Sequence, residues 1–346
     1  MGVSLFAIYM GGVYVGGIGC IFSLLGLSLL VMNTAFRRFI QRLRGTTLFE
    51  AINNLKYRKI IGSHQEVANA WDGVIAQYVE GKIDRKQYLP LQDLGTEKII
   101  WQYWGQGICG EELPETVRLC FHSVDRHADG FKVIRLTDET VADYLNIPED
   151  ILRKRERGQI GPAFFSDLLR VMLLATYGGV WLDATIMMTG RFPQEFMQGD
   201  HFCYQRDDNE PYKKIWENAY IYYYCWREGF EVRMLNSILW AKRGSEMMKI
   251  LSDLLIYYWQ NNDTSKEYFF FQVLYNRLTT GAFKHLKPAV VSDCTPHILF
   301  AVILGTLLPY GFDDALSKSH LHKLSYFKGG KMKRLNALVQ RLDRNA

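Results

Sequence analysis

The sequence predicts an α/β fold, a mainly parallel sheet with flanking helices, set behind an apolar N-terminal leader. Three observations carry that expectation. Short apolar runs near Ile99 and Val180 read as buried strands. They alternate with helical stretches, the pattern of a parallel sheet. No charged residue occurs from Met1 to Phe36, and a spanning helix needs only ~20 apolar residues.

The first strand is expected in Lys98-Ile99-Ile100-Trp101-Gln102-Tyr103-Trp104, with a loop at Gly105 and Gly107. Ligands in open α/β sheets bind past the carboxyl ends of strands. Tyr103 and Trp104 therefore stand where a nucleobase could stack, or they are core aromatics. A helix follows from Pro114 to His122. A second strand runs from Phe131 to Leu136, and Thr140-Val141-Ala142 opens another helix.

The most informative stretch is Ala163 to Gly190. Ser166 lies near a helix start, a position that favours serine. From Leu168 to Tyr177 the helix is apolar nearly all round, so it should be buried. Asp167 and Arg170 are its only charges and share one face. Buried charges must be paired or bind something. Gly178-Gly179 ends the helix, because glycine tolerates the left-handed cap. Val180-Trp181-Leu182 is a short buried strand that delivers Asp183 to the ligand end of the sheet. Alternation puts Asp183 and Thr185 on the same side.

The leader is followed by Arg37, Arg38, Arg42, Arg44, Lys56, Arg58 and Lys59, opposed only by Glu50. Basic residues flanking a span stay cytoplasmic. The sequence thus predicts a single-pass protein of the inner membrane with its catalytic part inside. Residues from about Gly62 to Leu94 read as a polar helical stem. At the far end, Met332, Leu335, Val339 and Leu342 share one helical face among basic residues. That helix either touches the membrane surface or packs on its own domain. The expected divisions are 1–36, membrane anchor; 37–95, basic juxtamembrane segment and stem; 96–330, catalytic domain; and 331–346, basic amphipathic helix.

The net charge of +5 and a charged fraction of 22% are ordinary for a globular chain. None of the six cysteines is in a C-x-x-C pair, so neither zinc spacing nor a disulfide framework is indicated. There is no P-loop.

The stretch S-D-L-L-R-x-x-x-L-x-x-x-G-G-V-W-L-D-A-T, with I-I-W-Q-Y-W-G-Q-G upstream, resembles the capsular polysaccharide synthesis proteins. These are similar to glycosyltransferase family 32. The resemblance covers roughly Glu97 to Lys328. It implies a GT-A-like, Rossmann-type sheet and a nucleotide-diphosphate sugar donor, with a UDP-sugar foremost. It also implies a glycan or lipid-linked acceptor in capsular or cell-surface polysaccharide synthesis, retention of anomeric configuration, and often Mn²⁺ or Mg²⁺. Carried onto this chain, Asp183, Asp167 and Arg170 become the catalytic candidates. Gln102, Tyr103, Trp104, Ser166, Gly179, Thr185, Gln272 and Lys323 become donor-binding candidates. Asp183 with His322, or His320, becomes the metal candidate. The chain departs from the family's two-aspartate pattern at Thr185, in a D-A-T form common in the capsular subgroup; one carboxylate with substrate phosphates can still hold Mg²⁺ or Mn²⁺, so the departure weakens the metal expectation without removing it. It leaves open a catalytically inactive assembly protein on the same fold. Asn236-Ser237 fits a strand or loop lining an acceptor site.

Overall fold

A computed structural model of the protein describes residues 47–95, 98–107 and 113–344. The apolar leader 1–36 and most of the basic cluster lie outside these residues. Among those described, no helix is long and apolar enough to cross a membrane. The chain divides into two compact units, Met1–Gly62 and Ser63–Ala346. The described part of the first is the opening half of helix α1 (Thr47–Val79).

A five-stranded sheet organises the second unit, in the order β2-β1-β3-β6-β5. Its strands are β1 (Ile99–Tyr103), β2 (Lys132–Leu136), β3 (Gly179–Leu182), β5 (His201–Gln205) and β6 (Met234–Ala241). β1 pairs in parallel with β2 and β3. β6 runs antiparallel to both β3 and β5. Four strands therefore share one direction and β6 is reversed, giving the mainly parallel sheet the sequence predicts. β1 and β5 are buried at every position, as expected for strands covered on both faces.

Helix α2 (Glu115–His127) follows β1, and α3 (Glu149–Glu156) and α4 (Pro162–Thr176) follow β2. The turn at Val141–Asp143 is a short 3-10 segment rather than the start of a longer helix. Ser166 lies a full turn inside α4, because Gly161 caps the helix and Pro162 opens it. A second, two-stranded sheet pairs β4 (Ile186–Met188) antiparallel with β7 (Leu321–Lys323). The remaining helices are α5 (Lys213–Ala219), α6 (Glu246–Asn261), α7 (Phe270–Thr280), α8 (Ile298–Leu304), α9 (Phe312–Lys318) and α10 (Gly330–Arg344).

The stem also departs from the sequence expectation. The stem helix stops at Val79, and residues 84–90 are irregular. From Ser63 onward the stem is also part of the main unit. Ala68, Trp71, Ile75 and Tyr78 are buried, at helical spacing. Trp71 Nε1 donates to the Phe270 carbonyl at 3.0 Å, and Asp72 pairs bidentately with Arg277 at 2.8 and 2.9 Å. The polar surface of this segment hid a narrow apolar stripe. The C-terminal helix takes the second of its two expected readings. α10 packs on its own unit through buried Met332, Leu335 and Leu338. Arg126–Asp343 and Arg341–Asp313 ion pairs flank it.

The glycine corner has a steric cause. Gly179 has φ +101°, and a Cβ there would sit 2.5 Å from the Ile99 carbonyl oxygen. β3 can approach β1 only without a side chain at that point. Gly179 is thus a packing requirement of the sheet. Gly179→Ala is expected to lower stability by roughly 1–3 kcal/mol, because it combines a left-handed φ with a backbone clash. A denaturant midpoint equal to the parent's would contradict this.

Candidate functional site

Asp183 follows directly on β3. Its amide donates to the Ser237 carbonyl at 2.9 Å, which fixes it against β6. Its carboxylate is held from three directions. Oδ1 accepts from Trp181 Nε1 at 2.8 Å and from Arg170 Nη2 at 3.2 Å, and Oδ2 accepts from Lys323 Nζ at 3.1 Å. The side chain retains 22% exposure, so solvent still reaches it at the carboxyl end of β3. Burial alone would raise its pKa. The Lys323 and Arg170 charges and the Trp181 and Ser237 hydrogen bonds outweigh that, and hold the carboxyl well below the usual range.

Arg170 joins the two aspartates. Its Nη1 donates to Asp167 Oδ1, and its Nη2 also reaches Ser166 Oγ at 2.9 Å. Its guanidinium lies 5.2 Å from the Trp181 ring and 5.9 Å from Phe271, a favourable cation–π placement. Asn236 Nδ2 donates to Asp167 Oδ1 at 2.8 Å. Asp167 is 4% exposed. Burial pushes its carboxyl up to about 6, against the opposing pull of Arg170 and Asn236 and with the help of neighbouring Asp183.

Lys323 arrives from the second sheet. Pairing of β7 with β4 sets Lys323 opposite Ile186, and Leu324 N donates to the Thr185 carbonyl at 2.9 Å. The ammonium then donates to Thr185 Oγ1 at 2.8 Å as well as to Asp183. Asp167, Arg170, Ser166, Asp183, Thr185 and Lys323 thus form one connected polar cluster. Trp104, Leu113 and Ala184 pack beside it with Val117 and Phe121. Tyr326 faces Trp104 edge-on at 6.3 Å. Its hydroxyl is pushed up to about 12, by burial first and then by the Asp183 charge.

Other expected residues lie elsewhere. Tyr103 is a core residue: its ring packs on Phe165 and its hydroxyl donates to Asp138, which Arg155 also holds. Alternation along β1 separates it from Trp104. Gln102 is fully buried and accepts from Arg135 Nε at 3.0 Å. Gln272 is buried in the first turn of α7, next to Phe271. Its carboxamide oxygen has no hydrogen-bond partner among the described residues.

His322 is not brought to Asp183. It alternates with Lys323 along β7 and its Nε2 meets Thr189 Oγ1 at 3.0 Å. Burial and neighbouring His320 lower its pKa to about 3. His320 is exposed, its ring against Gly190. The donor set does not fit a resident divalent cation. Both Asp183 oxygens already accept from side-chain N–H donors, two of them cations. Among the described residues no three His, Cys, Asp or Glu side chains converge.

Trp181 and Tyr326 join the site without having been singled out for it, and Asn236, expected in a strand or loop lining an acceptor site, lies on β6 and holds Asp167. The signal for Asn236 was present: a carboxamide beside Ser237 in the mainly apolar run Met234-Leu235-Asn236-Ser237-Ile238 needs a buried partner.

Fold and cluster together define an α/β protein with a cluster of charged side chains beyond the carboxyl end of its central strand. The chain belongs to the capsular polysaccharide synthesis protein family, whose profile matches residues 52–342. No curated protein matches it. Seven chains among solved structures do. One, a "PaToxG Glycosyltransferase", is 14% identical over 64% of this chain and 79% of its own, with a TM-score of 0.35.

Proposed function

We propose that the chain is a glycosyltransferase of GT-A type that moves a hexose from a nucleotide-diphosphate donor, foremost a UDP-sugar, to a glycan or lipid-linked acceptor in capsular polysaccharide synthesis. One observation carries the reading. An anionic Asp183 is presented at the ligand end of β3, flanked by two cations that lean on it from opposite sides. A departing nucleoside diphosphate accumulates negative charge, and positioned cations in a partly dry crevice stabilise such charge strongly. Lys323 and Arg170 are the groups suited to that work. Asp183 orients both and keeps the crevice neutral until the donor enters. Trp104 and Tyr326 are apolar faces on which a sugar or base can rest. No side chain stands out as a covalent nucleophile, which suits retention by a route that needs none.

A second reading has its own support. Asp183 is fully engaged and Thr185 replaces a carboxylate, as in a protein that keeps the fold for assembly alone. A thermal-melt screen of UDP-, GDP- and CMP-sugars, with release of labelled sugar followed in parallel, separates the two. A true donor at 100 times its Kd stabilises by ~2.7 kcal/mol. Stabilisation with turnover is the expected result. Stabilisation without any release of sugar identifies the inactive form, and a flat screen removes the donor reading.

A further inference from the structure

We infer that the Lys323 ammonium holds the place of a divalent cation, so that this chain binds its donor's diphosphate without metal. The inference rests on the glycosyltransferase reading and concerns how that same site is charged. Asp183 and Thr185 are two apart on the segment leaving β3, and Lys323 Nζ lies between them, 3.1 Å from Asp183 Oδ2 and 2.8 Å from Thr185 Oγ1. Two carboxylates around a dication sum to no charge. One carboxylate, one hydroxyl and one ammonium also sum to none. In charge, Lys323 beside one carboxylate and one hydroxyl is therefore equivalent to a dication between two carboxylates.

A metal ion entering here would have to displace the ammonium or sit against it. Like charges at contact distance repel, and Arg170 on the other oxygen of Asp183 adds to that repulsion. Lys323 is also well placed to serve a phosphate. Its backbone is fixed on both sides, by the β4–β7 pairing and by the Leu324–Thr185 hydrogen bond. Two of its three N–H groups are engaged, which leaves one for an incoming phosphate oxygen. Its side chain is 22% exposed, so that donor can be reached. Lysine is an effective point-charge binder of phosphate.

The test uses the full chain in detergent and UDP as the probe, with binding measured by titration calorimetry in EDTA and again in Mn²⁺. The expected dissociation constants agree within ~2-fold. Lys323→Met should weaken binding in EDTA by roughly 10- to 100-fold, the range of one lost hydrogen bond to a charged group. Lys323→Arg should retain most of it. UDP that binds only when Mn²⁺ is present overturns the inference and leaves the glycosyltransferase reading intact. So does a folded Lys323→Met protein that binds UDP in EDTA as tightly as the parent. UDP that binds in neither buffer removes both this inference and the UDP-sugar donor. The comparison of buffers on the parent protein does not depend on any variant folding.

Discussion

Asp183→Asn is expected to abolish sugar transfer, by at least ~100-fold, and to destabilise the protein as well. Transfer falls because the amide no longer carries the charge that orients Lys323 and Arg170. One misplaced electrostatic donor commonly costs a factor of ~10²–10³. Stability falls for a reason that the sequence hides. Read alone, Asp183 is a lone carboxylate with no basic neighbour, and an isosteric amide in its place looks harmless. In the folded chain it is the common anion of two cations, and Arg170 is itself buried. Taking the charge away leaves Arg170 balanced only by Asp167. A loss of about 1–3 kcal/mol follows from the weakened charged hydrogen bonds.

The pH dependence carries the same signature. The folded-state pKa of Asp183 lies below its unfolded value, so its stabilising contribution is present above ~4 and fades as pH falls through the folded value. The Asn variant should lack that acid-side loss. Transfer of labelled sugar and thermal melts at several pH values check these points together. Parental transfer by a folded Asp183→Asn protein would remove Asp183 from the machinery.

The contrast between what could and could not be read in the sequence has a physical pattern. The corner from α4 through Gly178-Gly179 to Asp183 was legible because every determinant is local: an apolar helix, two glycines and a three-residue apolar strand. The pairing of Asp167 with Arg170 was legible because the residues are one helical turn apart. Lys323 is 140 positions from Asp183 and reaches it through a strand of only three residues. No periodicity announces so short a strand. The choice between His322 and Lys323 is a choice of face along it, and alternation alone does not say which face meets the crevice. The same ambiguity applied to Tyr103 and Trp104, of which the core took the first. Asn236 and Ser237 were legible as unusual, but their partners belong to β3 and α4, two elements the chain left long before.

Asp293→Asn is expected to produce the largest loss of stability, through an ion pair that is not part of the Asp183 cluster. Arg206 follows β5, and Asp293 lies in the loop before α8. Their side chains are both 0% exposed and meet at 3.0 Å. Both Asp293 oxygens also accept from Arg206 Nε, each at 3.1 Å. Arg206 further donates to the Tyr223 and Cys225 carbonyls at 2.7 and 3.1 Å, and three rings, Tyr223, Tyr224 and Trp226, lie around its guanidinium within 5.2 Å. The network ties the edge of the sheet to two long loops that have little regular structure of their own.

Asp293→Asn keeps the carboxylate's shape, but its NH2 cannot accept, so Arg206 retains only the contacts to the remaining oxygen. The negative charge is lost as well, and a buried arginine cannot shed its proton to compensate. Two carbonyl dipoles and three aromatic faces oppose that charge only partly. Breaking a buried pair by removing one partner costs ~3–5 kcal/mol. For a domain of this size that corresponds to a fall in Tm of roughly 6–20 °C. Thermal and denaturant unfolding of the variant measure the effect. Arg206→Met together with Asp293→Asn should recover part of it, since the double variant leaves no uncompensated charge. A single Asp293→Asn protein that melts with the parent would mean that the aromatic faces and carbonyls alone can hold the arginine, and that the pair does not anchor these loops.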